Sequence, residues 1–566
     1  MLYQIYEAQR SMMEPFIGLA EVASKLYGNA SLPLAQSPLA QRISAGYDLI
    51  HRLGKGYEKP AFDLRTLDVD GVEVAIHERI ELDKPFCELR RFKRYSDDTA
   101  TLAKLKSQPV VLVVAPLSGH YATLLRDTVR TMLKDHKVYI TDWKNARLVP
   151  LSDGEFHLDD YVNYVQDFIR YLQKTYGNCH VVSVCQPTVP VMAAVSLMAT
   201  RGEPTPLTMT MMGGPIDARK SPTSVNDLAV ERSHSWFENN VIFRVPDKFP
   251  GAGRRVYPGF LQHAGFIAMN PDRHATSHYD YFQDLVKGDG SSVESHRKFY
   301  DEYNAVLDMD ANYYLETIET VFQEYKLMLG TWDVKNPSGT PERVNPADIR
   351  HTALLTVEGE LDDISGKGQS EAAHDLCSGI EKRHHIEVLG AGHFGIFSGR
   401  RWREKVYPEL KQFILDHQPK EADQVADVKP AAATVATPIE VAQPTPVASA
   451  SAVTQPVVRQ VPRAQKPASL PPVTETSVVN EVTPEIDATR PLEAVQPILV
   501  PAARAVAQPE AQPVKDSTPA QPEKVKAKAE PKTSSKGKVE SSPAAKPVPP
   551  TTAAAKPRAK APTPKR

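Results

Sequence analysis

The sequence predicts an α/β fold, a mostly parallel sheet with helices on both faces, broken by a helical insertion and followed by a disordered tail. Three observations carry this. Pro109–Ala115 is a continuous apolar run, the pattern of a strand covered on both faces. Similar short strands then alternate with amphipathic helices, which implies crossover connections and parallel pairing. From Pro419 to Arg566 there is no Phe, Tyr or Trp, and 26 of the 48 prolines fall there. Such a segment cannot bury enough apolar surface to offset its ordering entropy, so it reads as disordered.

The elements follow in order. Residues 1–60 read as a helical N-terminal segment and 61–418 as the α/β domain. Val72–Ile80 and Phe86–Phe92 have the half-polar character of an antiparallel edge. After the apolar strand, Leu125, Val129, Met132 and Leu133 mark one face of a helix. Lys137–Ile140 is a short strand ending at Asp142 and Trp143. Leu158, Val162, Val165, Phe168, Ile169 and Leu172 form a helical stripe. His180–Cys185 reads as a strand, Val189–Met198 as a helix, and Leu207–Met212 as a strand ending in Gly213-Gly214-Pro215. The alternation resumes with Thr352–Glu358 and His385–Leu389 and closes on a helix over Trp402–Leu415. The interruption, about 216–340, holds 18 of the 42 aromatic residues. It reads as a mostly helical cap over the C-terminal edge of the sheet. Most of its aromatics form its own core, and a few line a cleft for an apolar, extended substrate.

Charge divides the chain in the same place. Residues 1–418 carry 47 Lys and Arg against 55 Asp and Glu, whereas 419–566 carry 20 against 14. Lys524–Arg566 alone holds 12 basic and 2 acidic residues. A basic tail is most simply a solvated one; its sharper reading is a tether to an anionic surface, nucleic acid or an acidic partner. Four cysteines without paired spacing argue against a disulfide scaffold or a zinc knuckle and fit a reducing compartment. Glu7, Arg10 and Glu14 stand where a signal peptide needs an apolar core, and no apolar run reaches membrane-spanning length. A cytoplasmic protein, soluble or peripherally attached, is expected. No metal or nucleotide spacing is apparent, so no cofactor is expected.

Polar residues directly after strands carry the chemistry, because open α/β sheets place ligand sites there. Cys185 follows a strand and precedes a helix. A nucleophile at such a turn is lifted above the sheet, its next amide, that of Gln186, faces a developing oxyanion, and the helix N-terminus favours a thiolate. Asp362 and Asp363 follow a later strand. His393 sits in Gly390-Ala-Gly-His-Phe-Gly395 after the last one. A buried cysteine alone is ordinarily filler. The order Cys, Asp, His, each after its own strand, is that of the α/β-hydrolase triad with cysteine in place of serine. The loop Ala115–Tyr121 is where this fold takes its second oxyanion donor, with the amides of Leu117 and Ser118 as candidates.

At these residues the chain resembles the intracellular poly(3-hydroxybutyrate) depolymerases, relatives of the polyhydroxyalkanoate synthases. The resemblance rests on Met1–Glu7, Tyr139–Arg147, Val184-Cys-Gln-Pro187, Glu358–Ser365 and Gly390–Gly395, and stops near residue 419. It implies hydrolysis of ester bonds in amorphous polyester granules, with Cys185 carrying the acyl group and Asp362 and His393 as partners. Asp362 is preferred because it stands three residues after Gly359, where the Gly-x-x-Asp pattern of α/β-hydrolases puts the acid; Asp363 stays open. One departure concerns the turn. Hydrolases and synthases usually show Gly-x-Ser/Cys-x-Gly, but here Ser183 and Pro187 hold the glycine positions, with Pro187 expected at the first helical position. Two other readings compete: acyl transfer or thiolysis to coenzyme A, and a granule-coat scaffold on a hydrolase fold. On the enzyme reading, the tail is expected to be an accessory tether to granule-coat proteins or the nucleoid.

Overall fold

The computed structural model describes residues 1–29, 31, 35, 37–269 and 271–419. The expected disordered tail falls, apart from Pro419, on residues 420–566, outside the described residues.

Two helices open the chain, α1 (Leu2–Tyr27) and α2 (Pro38–Gly54). The Ser37 side chain caps α2 by accepting from the Ala40 amide, and Pro38 sits where a missing N–H costs nothing. The buried Tyr3 hydroxyl ties α1 to Asp308 at 2.5 Å.

Strands β1 (Thr66–Val69), β2 (Val72–Asp83) and β3 (Cys87–Tyr95) pair antiparallel in succession. The alternating part follows: α3 (Thr99–Ser107), β4 (Val110–Val114), α4 (Arg126–Met132), β5 (Lys137–Trp143), α5 (Leu158–Tyr176), β6 (His180–Val184), α6 (Thr188–Thr200) and β7 (Thr208–Met212). An insertion comes next. It holds helices α7 (Ser224–Glu231) and α8 (His234–Val241), strands β8 (Phe243–Arg244) and β9 (Arg255–Tyr257), and helices α9 (Gly259–Met269), α10 (Pro271–Lys287) and α11 (Gly290–Tyr303). It ends with β10 (Met309–Asp310), α12 (Ala311–Thr317), β11 (Asp333–Lys335) and β12 (Pro341–Arg343). Then β13 (Ala353–Gly359) and β14 (Arg383–Val388) return to the main sheet, and a helix over Tyr407–Asp416 packs behind it.

The main sheet has nine strands in the order β1-β2-β3-β5-β4-β6-β7-β13-β14. β3 meets β5 antiparallel, and β5, β4, β6, β7, β13 and β14 run parallel. An antiparallel edge leading into this crossed parallel order is the α/β-hydrolase arrangement. The alternation of side chains builds two core layers. On β4, Leu112 and Val114 join the layer with Trp143, Phe168 and Met192, while Val111 and Val113 face Trp402, Leu410 and Ile414. All five residues of β4 are buried, which is why its sequence is apolar throughout rather than alternating.

Two features differ from the sequence reading. β1 is an added edge strand, only four residues long, with Leu67 and Val69 buried. The insertion also contains a three-stranded sheet, in the order β10-β9-β8, beside its helices. Pairings of two or three residues leave no periodic signal to read.

Candidate active site

Cys185 stands one residue beyond β6 with φ +70°. A non-glycine residue in that left-handed region is strained by about 1–3 kcal/mol and persists only where neighbours fix it. Here they do. The Cys185 amide donates to Met212 O at 2.7 Å, and the Thr188 amide donates to Cys185 O at 3.1 Å. Ser183, fully buried, donates its hydroxyl to Thr210 O at 2.9 Å and so points into the β6–β7 seam. Pro187 lies at the N-cap, just before α6 rather than at its first helical position, with φ −57° and ψ −15°. Its ring-fixed φ already suits a helical turn, so the turn closes onto Thr188 without disturbance.

The room usually supplied by elbow glycines comes from the neighbouring strand. A Cβ on Gly214 would lie 1.9 Å from Thr188 Oγ1 and 2.5 Å from Cys185 O. A Cβ on Gly213, at φ +55°, would lie 2.7 Å from Ile396 and 3.3 Å from both Asp362 Oδ2 and His393 Cε1. The glycine pair after β7 therefore lets the turn, the carboxylate and the imidazole come together.

The structure brings Asp362 and His393 together. His393 Nδ1 hydrogen-bonds Asp362 Oδ2 at 2.8 Å, and both side chains are almost wholly buried. Asp362 Oδ1 accepts the amides of Ile364 and Ser365 at 2.9 and 2.8 Å, which fixes the carboxylate's orientation. Asp363 is exposed on the same loop. Burial alone would push the His393 pKa down. The charge of Cys185, the hydrogen bond to Asp362 and a hydrogen bond to Cys185 outweigh it and hold it up at about 10. With Nδ1 engaged by Asp362, the other ring nitrogen is left for the thiol.

The four cysteines separate cleanly. Cys87, Cys179 and Cys377 are buried, and burial pushes each thiol up, the last two to about 12. Cys185 alone is partly exposed. Around it, among the described residues, the backbone amides of Gln186, Leu117 and Ser118 donate to no protein acceptor. The Gln186 side chain is 8% exposed, and neither end of its carboxamide has a partner among the described residues.

Aromatic residues beneath the site carry no catalytic signature in the sequence. Trp143 Nε1 and the Tyr161 hydroxyl donate to Ala115 O at 2.8 and 3.2 Å, and the Tyr313 hydroxyl donates to Leu117 O at 3.0 Å. The position of Trp143 at the end of a buried strand was a usable signal; Tyr313 is one aromatic among many in the insertion.

Among the described residues one grouping could hold a metal ion, Glu358, Glu371 and His385. The Glu358 carboxylate already accepts the amides of Gly368, Ser370 and Glu371 at 2.7–2.9 Å. No helix among the described residues is long and apolar enough to cross a membrane.

Residues 213–418 match the family described as PHB de-polymerase C-terminus. Among solved structures the chain is similar to a monoacylglycerol lipase of Paleococcus ferrophilus, at 15% identity over 55% of this chain and 96% of that one, with a TM-score of 0.32. It is also similar to a thermophilic esterase from Thermogutta terrifontis, at 12% identity over 63% and 98%, TM-score 0.32. A putative lipase from Acinetobacter baumannii aligns at 11% identity over 61% and 93%, TM-score 0.32. No curated protein sequence matches. Asp362 and His393 both lie in the stretch that matches this family, which spans residues 213–418 of the 566.

Proposed function

We propose that this α/β-hydrolase cleaves ester bonds in intracellular, amorphous poly(3-hydroxybutyrate), with Cys185 as nucleophile, His393 as base and acid, and Asp362 orienting His393. The observation that carries this reading is the buried Asp362–His393 hydrogen bond beside a cysteine held at φ +70°.

The steps follow from the residues. His393 takes the thiol proton, and Cys185 Sγ attacks the ester carbonyl. The negative charge on the carbonyl oxygen is met by the amide of Gln186 and by one from the loop at Leu117 and Ser118, each donor contributing about 3 kcal/mol in the transition state. The C–O bond breaks, the departing polymer hydroxyl takes the proton from His393, and a thioester remains on Cys185. Water, losing a proton to His393, attacks the thioester; the C–S bond breaks, the acid is released, and His393 returns its proton to Cys185 Sγ, restoring the thiol. The insertion would act as a cap over the sheet edge, and the basic tail would tether the protein to granule-coat proteins or the nucleoid.

The test is purified protein incubated with amorphous polymer, with and without coenzyme A. Release of 3-hydroxybutyrate or its oligomers in both samples supports hydrolysis. Acyl-coenzyme A formed only in the second sample supports thiolysis instead. Unchanged granule association after truncation at Gln418 would remove the tether.

A further inference from the structure

We infer that Tyr313, on α12 of the insertion, is a positioning residue for the oxyanion site, and that the amide it sets is that of Ser118. This rests on the reading of Cys185 as the nucleophile.

The loop after β4 is pinned through its acceptors. Ala115 O takes hydrogen bonds from Trp143 and Tyr161, Leu117 O takes one from Tyr313, and Gly119 O accepts the Leu307 amide at 2.7 Å. The His120 ring meets Tyr303 O at 3.1 Å. The amides of Leu117 and Ser118 are left without a protein acceptor among the described residues. Tyr303, Leu307 and Tyr313 all belong to the insertion.

Planarity of the peptide bond turns this pattern into a direction. Leu117 C=O and Ser118 N–H are the two ends of one trans peptide and point opposite ways. Fixing the carbonyl against the Tyr313 hydroxyl therefore fixes where the Ser118 amide points. The peptide that carries the Leu117 amide has Pro116 O at its other end, and no donor among the described residues holds that oxygen.

The clamp is stiff. Tyr313 is 1% exposed, its ring is nearly parallel to that of Tyr161 at 5.7 Å, and Tyr161 stacks on Trp143 at 4.2 Å. The ladder runs from the sheet to the insertion, so the insertion helps build the catalytic site rather than only covering it. A preorganised donor acts because it needs no reorganisation during reaction. A hydroxyl that holds such a donor should then affect the acyl-transfer step and leave the thiol alone.

The test is Tyr313→Phe, which keeps the ring and removes one oxygen. Four readouts are compared with wild type: the acylation burst and KM with a soluble p-nitrophenyl ester, the rate of alkylation of Cys185 by iodoacetamide, and thermal melting. The burst rate is expected to fall about 10- to 100-fold, part of the effect of losing a donor outright. KM and alkylation, which forms no oxyanion, should stay at wild-type values. A folded variant with an unchanged burst overturns the inference, as does an equal fall in burst and alkylation. Should the variant not fold, Glu316→Gln loosens α12 from His157 without touching the loop and carries the same expectation at smaller size. If wild type gives no burst, or Cys185→Ala gives one, the nucleophile reading itself fails. A wild-type burst at Cys185 that Tyr313→Phe leaves unchanged sinks only the inference.

Discussion

Asp362 Oδ2 and His393 Nδ1 are 2.8 Å apart, thirty-one residues apart in sequence, with side chains 1% and 5% exposed. Each sits on a loop after a parallel strand, and a buried carboxylate that also accepts two amides has little freedom to turn away.

Asp362→Asn leaves the shape and removes the charge that fixes the imidazole tautomer. It is expected to lower kcat by about a hundred- to ten-thousand-fold. Asp363→Asn, on the exposed side of the loop, should stay near wild type. Steady-state rates on a soluble ester decide; equal losses in the two variants would remove Asp362 from its role.

The elbow makes a second prediction. Gly214→Ala places a methyl group against the backbone Cys185 O, which cannot yield cheaply, and against the fully buried Thr188 side chain. It should destabilise the protein by about 1–3 kcal/mol and reduce activity. Pro187→Gly should cost about 1 kcal/mol, mainly by freeing the unfolded chain, and keep most activity. Urea denaturation and ester turnover check both. An active, fully stable Gly214→Ala would mean that the room for the turn lies elsewhere.

The pH dependence of stability reports on α12. His157 Nδ1 meets Glu316 Oε1 at 2.6 Å, and that hydrogen bond first, against the opposing pull of burial, raises the His157 pKa from 6.5 to about 9. The folded state therefore holds this proton more tightly than the unfolded chain. The resulting stability is fully present below about pH 6.5 and is lost as pH rises through about 9. Because both side chains are more than a third exposed, at 39% and 35%, the contribution should be at most about 1 kcal/mol. Unfolding free energies of wild type and His157→Gln should differ most near pH 6 and converge near pH 10. A gap that widens with pH would contradict the pairing.

Cys185, Asp362 and His393 could be named as candidates from the sequence because each lies just beyond the end of a strand of the sheet, where the fold gathers its loops. The sheet was legible for the same reason: strands covered on both faces carry no alternation and stand out from the helices between them. What the sequence did not disclose depends on contacts between distant segments. Gly214 has meaning only once β7 lies beside β6, and Tyr313 only once α12 meets the loop after β4. Asp362 and Asp363 are adjacent and alike in composition; burial and the His393 hydrogen bond set them apart. The short strands β1, β8, β9 and β10 are too brief for a period to show.

The central claim is that Cys185 carries the acyl group. The most direct measurement is mass analysis of peptides after rapid acid quench of the enzyme turning over soluble 3-hydroxybutyrate oligomers. The account predicts a 3-hydroxybutyryl adduct on the peptide containing Cys185, absent from Cys185→Ala, which should also release no product. An adduct on another residue, or undiminished product release by Cys185→Ala, would contradict it.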